Sequence, residues 1–353
     1  MHEKYLSQHA KTLIPYVPGE QPQGGDLIKL NTNENPYPPS PKVEKAILKA
    51  IPNLRLYPPT DGGPLRSAIA RREKLPEDWV FVGNGSDEVL ALCFPTFFGV
   101  DRPLRFPEIT YSFYPSYARL FEIPYTQTRV GTDLSIDIAD LTAAGSVMLA
   151  NPNAPTSLAL GIDTLTDMAK KLHARGDMLI VDEAYVEFGA ISCRQIIEEY
   201  DNVLVVRTLS KSHALAGMRC AYALGQPDLI AGLNRAKSSF NSYPLDHLAI
   251  AAGAQALEDE EYFAARRDEI VQTREIFIKD LRALGCDVPA SKTNFVFPKL
   301  PRPYAAEVFA ALREKGIIVR YFNAARIDER LRITIGTPMQ MQKVTLALRE
   351  ILK

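Results

Sequence analysis

The stretch "TLSKSHALAGMR", Thr208 to Arg219, follows the apolar run "NVLVVR". It sets a lysine on the loop that ends a buried strand, with Arg219 eight residues further on. A loop lysine is ordinarily just solvated, so its neighbours must decide what it does. Other apolar runs also end in reactive residue types. "WVFVG" leads into "NGSDE", a glycine-containing turn that opens a helix. Backbone N–H groups at a helix start attract phosphate, although Ser86 or Asp87 would serve equally as a plain N-cap. "SVMLA" leads into "NPNAPTS", an Asn/Pro turn. "MLIV" leads into Asp182, Glu183 and Tyr185. A carboxylate at the end of such a run is costly to bury unless it is paired.

In open α/β sheets, ligands bind beyond the carboxyl ends of the strands. Successive strand ends here offer an anion cradle, an amide, a carboxylate with a phenol, and a lysine with hydroxyls and an arginine. A lysine nucleophile, a carboxylate able to pair with a pyridinium nitrogen, and a phosphate cradle are what pyridoxal 5′-phosphate needs. A guanidinium one short loop from the lysine suits the phosphate dianion.

The elements that must position these groups are legible as periodicity. "WVFVG", "SVMLAN", "MLIVDEAY", "NVLVVRTLS" and "CAYALG" are apolar without alternation, as strands buried on both faces of a mainly parallel sheet are. Helix-period segments separate several of them. One is "DTLTDMAKKLHARG", which ends at a glycine. Before them lie turn-rich segments and a short amphipathic helix, "VEKAILKAI". After about Leu257 comes a long charged helix, "EEYFAARRDEIVQTREIFIKDLRALG". Strand "NFVFPK", helix "AAEVFAALREKG", strands "IIVRYF" and "LRITIG", and helix "QMQKVTLALREIL" follow it. The expected architecture is α/β: a large domain with a mainly parallel central sheet flanked by helices, plus a smaller α+β domain. The expected division is residues 1–45 as an N-terminal arm and part of the small domain, 46–257 as the large domain, and 258–353 as the C-terminal small domain.

The whole chain limits the alternatives. Its 353 residues exceed the roughly 250–300 at which single cores stop growing. Apolar residues make up 46% and charged residues 24%, ordinary for a globular protein. The net charge of -1, with no long basic run, argues against nucleic acid as a partner. The first twenty residues read as neither signal nor transit peptide. No stretch of about 18 apolar residues occurs, so no membrane span is expected. Cys93, Cys193, Cys220 and Cys286 lie far apart without metal-ligand spacing, which suits reduced thiols in the cytoplasm.

On these motifs the chain resembles the fold-type I pyridoxal-phosphate-dependent aminotransferases and, within them, the histidinol-phosphate aminotransferases. The resemblance runs from "LIPY" to "LRITIGT" and rests on "LNTNENPYPPSP", "GNGSDE", "TYSFYP", "NPNAPT", "VDEAYVEF", "TLSKSHALAGMR", "NFVF", "GIIVR" and "LRITIGT". It implies that Lys211 carries the cofactor covalently and then acts as general base. It implies that Asp182 keeps the pyridine nitrogen protonated, that Tyr185 hydrogen-bonds the ring hydroxyl, and that Tyr111 stacks on the ring. The cofactor phosphate would lie among Gly85, Ser86, Asp87, Thr208, Ser210 and Arg219. Tyr57 would come from the other subunit of a homodimer. Arg332 would take the substrate anion, helped by Arg320 and Tyr16, with Asn33 also at the substrate. The implied reaction is transamination between L-histidinol phosphate and 2-oxoglutarate, giving imidazole acetol phosphate and L-glutamate in histidine biosynthesis.

Two places depart from the family pattern. The asparagine usual before "PTG" is Ala154 here, and the glycine is Ser157. Asn153, one position earlier, is a candidate for the missing amide, with Tyr185 acting alone as the alternative. The usual Tyr-Pro-Asp turn reads "YPPT". His213 has nothing to orient it as a base, Trp79 reads as packing, and Arg71, Arg72, Arg266 and Arg267 read as solvated helix faces. A threonine-phosphate decarboxylase or an aromatic amino acid aminotransferase would share most of these motifs. A cofactor-binding regulator that works through partners is the reading from another class, and no DNA-binding segment supports it.

Overall fold

Residues without polar alternation have no face to show to water, and the strands they form are buried. In a computed structural model, which describes residues 4–16, 18–22, 24, 26–301 and 304–353, Leu179–Asp182 and Val203–Thr208 are buried at every position. In chain order the strands are β1 (Ile28–Lys29), β2 (Val80–Asn84), β3 (Leu104–Pro107), β4 (Tyr125–Thr128), β5 (Ser146–Ala150), β6 (Leu179–Asp182), β7 (Val203–Thr208), β8 (Cys220–Leu224), β9 (Phe295–Val296), β10 (Ile317–Ile318), β11 (Arg320–Tyr321) and β12 (Leu331–Thr334).

The central sheet has seven strands in the order β2-β8-β7-β6-β5-β3-β4. It is parallel except at β8, which runs antiparallel to both β2 and β7. Apolar layers cover both faces. One holds Leu179, Val181, Val203, Val205 and Tyr222, with helix Ile162–His173 packed on it. The other holds Ile180, Leu204, Val206 and Tyr114, with helix Gly85–Phe97 packed on it. Strand β3 and the edge strand β4 escaped the sequence reading, because "LRFP" and "YTQT" are short and carry polar residues.

A second core gathers around the long helix Glu260–Ala283, β9, β12 and the last helix, Pro338–Ile351. The expected strand "IIVRYF" divides at Val319. β10 pairs in parallel with β1, while β11 pairs antiparallel with β12. The break moves the chain from one ladder to the other and sets Arg320 directly opposite Arg332. β1 also ties the segment that begins at Ile28 to this smaller unit: Leu30 donates to Ile318 (2.7 Å) and Thr334 to Leu30 (3.0 Å). That segment runs on into "NTNENP" above the ends of the central strands. No helix among the described residues is long and apolar enough to cross a membrane.

Candidate active site

A cavity of about 440 Å³ opens where the central strand ends meet the smaller unit. Its wall includes Tyr16, Asn33, Ser86, Asp87, Tyr111, Asp182, Tyr185, Ser210, Lys211, Arg219, Arg320 and Arg332. The segments that supply them are separated by more than three hundred residues of sequence.

Strand alternation supplies the floor. Asp182 lies on the same face of β6 as Ile180, where the second apolar layer meets it. Its Oδ1 accepts from the Ala184 N–H (3.1 Å) and its Oδ2 from the Tyr114 hydroxyl (3.3 Å). Burial raises its pKa to about 6, against those hydrogen bonds, which lower it. Above that pH it is an anion facing the cavity, as a partner for a protonated ring nitrogen must be. Tyr114 was not singled out from the sequence. Its spacing within "TYSFYP" gives no sign that it reaches a strand two positions away in the sheet.

Lys211 donates from Nζ to the Thr32 carbonyl (3.1 Å), and the Asn35 side chain clamps its own carbonyl (3.0 Å). Burial, and then the nearby Arg332, lower its pKa to about 8. Lysine amines serve as bases and nucleophiles when desolvation depresses them this way.

The anion cradle is built from close approach. Helix Gly85–Phe97 starts at Asn84 with no side-chain cap, so neither Ser86 nor Asp87 is spent as one. Gly85 has φ +77°, and a Cβ there would come 2.4 Å from Arg219 Nη2. Only glycine lets the guanidinium lie across the helix start. Arg219 pairs with Asp87 (2.9 Å), whose other oxygen accepts from Tyr111 (2.8 Å). Thr208 and Gly85 sit behind the cavity wall rather than on it. The Thr208 hydroxyl orders Ser210 through contacts of 2.9 and 3.1 Å. Uncapped helix N–H groups, hydroxyls and a guanidinium fit a phosphate. With Asp182 and Lys211, this donor set fits pyridoxal phosphate.

On the far wall, Asn33 Nδ2 donates to the Tyr185 hydroxyl (2.8 Å). Arg332 donates to the Asn31 carbonyl (2.7 Å), and Arg320 to that of Pro18 (3.4 Å). Both guanidinium groups lie 5.5 Å from the Phe322 ring, a platform the sequence reading had missed. Tyr16 reaches this wall from the N-terminal segment and stacks on Phe113 at 4.1 Å.

Several sequence candidates lie elsewhere. Asn153 does not line the cavity. Its amide is spent on Ile109 and Thr156 (both 2.9 Å) and accepts from Thr110 (2.8 Å), which holds the loop together. Its neighbours Pro152, Ala154 and Pro155 face the cavity instead. Asn153 is thus turned into its own loop, while Tyr185 stands on the cavity wall. Tyr57 is 80% exposed and stacks on Tyr243 (4.7 Å), away from the cavity of its own chain. Arg72, Arg266 and Arg267 are not simply solvated. Arg72 and Arg267 cover Phe263, and Arg266 covers Tyr37. His213 stacks on Phe263 at 4.3 Å, and burial drives its pKa to about 3, so it stays a neutral packing group. Trp79 packs against the central core.

Comparison with known proteins supplies the decisive observation: the family "Aminotransferase class I and II" matches residues 25–349. The chain belongs to the class I and II aminotransferases. This aminotransferase is 51% identical over 354 residues to histidinol-phosphate aminotransferase 1 of Bordetella parapertussis, covering 99% of both chains. It is 46% identical to the histidinol-phosphate aminotransferase of Acinetobacter baylyi, covering 98% of this chain and 97% of that one. The fold matches the crystal structure of histidinol-phosphate aminotransferase from Sinorhizobium meliloti, solved in complex with pyridoxal-5′-phosphate. There the TM-score is 0.84 at 24% identity, over 92% of this chain and 90% of that one. The architecture is that of a fold-type I aminotransferase, and pyridoxal 5′-phosphate is its cofactor.

Proposed function

We propose that this aminotransferase transfers the amino group of L-histidinol phosphate to 2-oxoglutarate, giving imidazole acetol phosphate and L-glutamate, a step of histidine biosynthesis. The observation that carries the reading is the facing pair Arg320 and Arg332 on the wall shared with Lys211. Two forks of donors suit a phosphate ester on the carbon beside the amine-bearing one, and one of them suffices for a carboxylate. The names of the relatives at 46–51% identity support the same substrate.

Each side chain then has a role. Pyridoxal phosphate, when bound, supplies the electron sink for charge at the amine-bearing carbon. Lys211 holds the cofactor and moves the proton from that carbon. Its depressed pKa leaves it an amine near pH 8, able to accept. Asp182 holds the proton on the ring nitrogen, and Tyr114 and the Ala184 N–H fix the carboxylate for it. Tyr185, oriented by Asn33, donates to the ring hydroxyl. Tyr111 covers the ring. Ser86, Ser210 and Arg219 grip the phosphate, with Gly85, Asp87 and Thr208 shaping the cradle. Arg332, Arg320 and Tyr16 take the substrate anion.

A homodimer belongs to this reading, with Tyr57 reaching the other subunit's site. Tyr57 and Phe240 are 80% and 81% exposed, and Leu54 and Leu56 are exposed beside Tyr57. Apolar surface of this kind marks an interface. The same reading divides the chain at about residues 45 and 257, supported by the separate cores of the central sheet and the smaller unit. It also places the protein in the cytoplasm, which four buried, unbridged cysteines suit.

The test is a panel of amines scored by conversion of the bound cofactor to its amine form, followed by absorbance. Histidinol phosphate should react, and histidinol should react poorly. Equal use of both, or faster release of carbon dioxide from threonine phosphate, would defeat the assignment.

A further inference from the structure

Three carboxylates line the cavity: Asp87, Asp182 and Glu34. Two have cofactor-side partners, since Asp182 is held by Tyr114 and Ala184, and Asp87 by Arg219 and Tyr111. Glu34 belongs to neither group. It is half-buried and ion-paired with Lys29 of β1, whose ammonium also donates to Thr32 Oγ1 (2.8 Å). The chain around it is pinned to the reacting centre. Thr32 offers its carbonyl to Lys211 (3.1 Å), Asn33 orients Tyr185 (2.8 Å), and Asn35 clamps the Lys211 carbonyl (3.0 Å). A carboxylate flanked by these contacts lines the same cavity as Lys211.

The rest of the cavity is cationic, with Lys211, Arg219, Arg320 and Arg332 on its wall. If histidinol phosphate is the substrate, its phosphate has the two arginines and its amine has Lys211. One polar group is left, the imidazole, which carries an N–H and takes a second proton near pH 6.5, as a histidine ring does. A guanidinium offers that N–H no acceptor. A carboxylate accepting from it makes a charge-assisted hydrogen bond, shorter and stronger than a neutral one.

We infer that Glu34 is the specificity-determining residue for the substrate's imidazole ring, accepting a hydrogen bond from a ring nitrogen on the Lys211 side of the cavity. Lys29 holds the carboxylate in its anionic form and aims it. The inference rests on the substrate reading given above and adds to it the group that distinguishes an imidazolyl amine from an amine with an apolar ring. A site built around a ring N–H rejects analogues that lack one, because its own polar group is then left unpaired.

The test compares two unreactive ligands of the holoenzyme, 2-(imidazol-4-yl)ethyl phosphate and 2-phenylethyl phosphate, by calorimetry. The wild type should bind the imidazole compound about tenfold tighter or better, matching the roughly 1.5–3 kcal/mol of a hydrogen bond to a charged group. Glu34→Gln should erase most of that preference, and Glu34→Asp should retain part of it. A wild type that binds both compounds equally would overturn the inference. So would a Glu34→Gln variant that weakens both equally, since Glu34 would then act only through Lys29 and Lys211. Wild-type turnover of histidinol phosphate is measured alongside. Failure of that arm would sink the substrate reading, whereas a wild type that turns over histidinol phosphate yet binds both ligands equally would sink only the role of Glu34.

Discussion

Two charge clusters flank the ends of β6 and β7, one on each face of the sheet, and they are built by opposite rules. Adjacent residues divide between them. Asp182 and Thr208 turn toward the cavity side, while Glu183 and Arg207 turn to the other face. There Arg207 donates to Glu183 (3.0 Å), Glu73 (2.8 Å) and Ser192 (2.6 Å), and Glu183 also accepts from the Cys193 N–H (2.6 Å). Burial alone would lower the Arg207 pKa, but Tyr222 and the glutamates Glu183, Glu73 and Glu187 hold it well above the ordinary value. This cluster is closed, with its charges partnered inside the protein. On the cavity side, burial raises Asp182 to about 6, depresses Lys211 to about 8 and lowers Arg332, whose Nε is buried without a partner. Those groups are held out of balance for a ligand to complete. A satisfied cluster braces, and an unsatisfied one binds.

Loss of a cavity-side group should therefore cost chemistry far more than stability. Lys211→Ala should bind cofactor but turn over negligibly, and borohydride should link the cofactor to Lys211 in the parent enzyme, as read by peptide mass mapping. A label on another lysine would overturn the assignment. Asp182→Asn should lower kcat by several orders of magnitude, each tenfold being about 1.4 kcal/mol. Its effect on stability has the other sign. The folded protein binds the Asp182 proton more tightly than the unfolded chain does, so stability falls as pH rises from about 4 to about 6. Urea titration of the cofactor-free protein at pH 7.5 should then find Asp182→Asn more stable by up to about 3 kcal/mol, from a shift of about two pKa units.

The brace should answer in reverse. Arg207→Met leaves Glu183 and Glu73 buried without their partner, and should cost about 3–5 kcal/mol in urea denaturation. Where the variant is still folded, its kcat should stay near that of the parent. A collapse of kcat with stability unchanged would break the division between the two clusters.

A smaller effect separates the facing arginines. Arg332→Ala should damage both half-reactions. Arg320→Ala should weaken kcat/KM for histidinol phosphate more than for an amino acid with a single anionic group, by about 1.5–3 kcal/mol. Equal losses would mean that the phosphate uses one fork only.

The finest adjustments lie under the ring. Tyr114→Phe removes a donor to Asp182 and should shift the pH titration of the bound cofactor's absorbance. Asn153→Ala should leave that titration nearly unchanged, because its amide is spent within its own loop. A large shift in Asn153→Ala would return that residue to the site.

The motifs at the strand ends were legible because chemistry and periodicity coincide there. A buried run must end, and the residue types just beyond it need a reason to be polar. That logic picked out Lys211, Asp182, Ser86 and Arg219, which do share one cavity. The same local reading could not choose between Asn153 and Tyr185, since a turn of "NPNAPTS" does not say which of its side chains face the cavity, and Asn153 lies off its wall. It also took Arg72, Arg266 and Arg267 for solvated, because the rings they cover come from another helix, from the loop that carries Tyr37, or from one turn back along their own helix.

By itself, the sequence determined the strands that end in reactive residues, several of the helices between them and the order in which those residues leave the sheet. Period and turn chemistry are properties of neighbours along the chain. Only the tertiary structure decided that Tyr114 reaches Asp182, that Arg320 faces Arg332 across β11 and β12, and that Thr32 to Asn35 close over Lys211. Each of these contacts joins segments packed by burial rather than by spacing. Burial is a sum over the whole fold, so no window of sequence contains it.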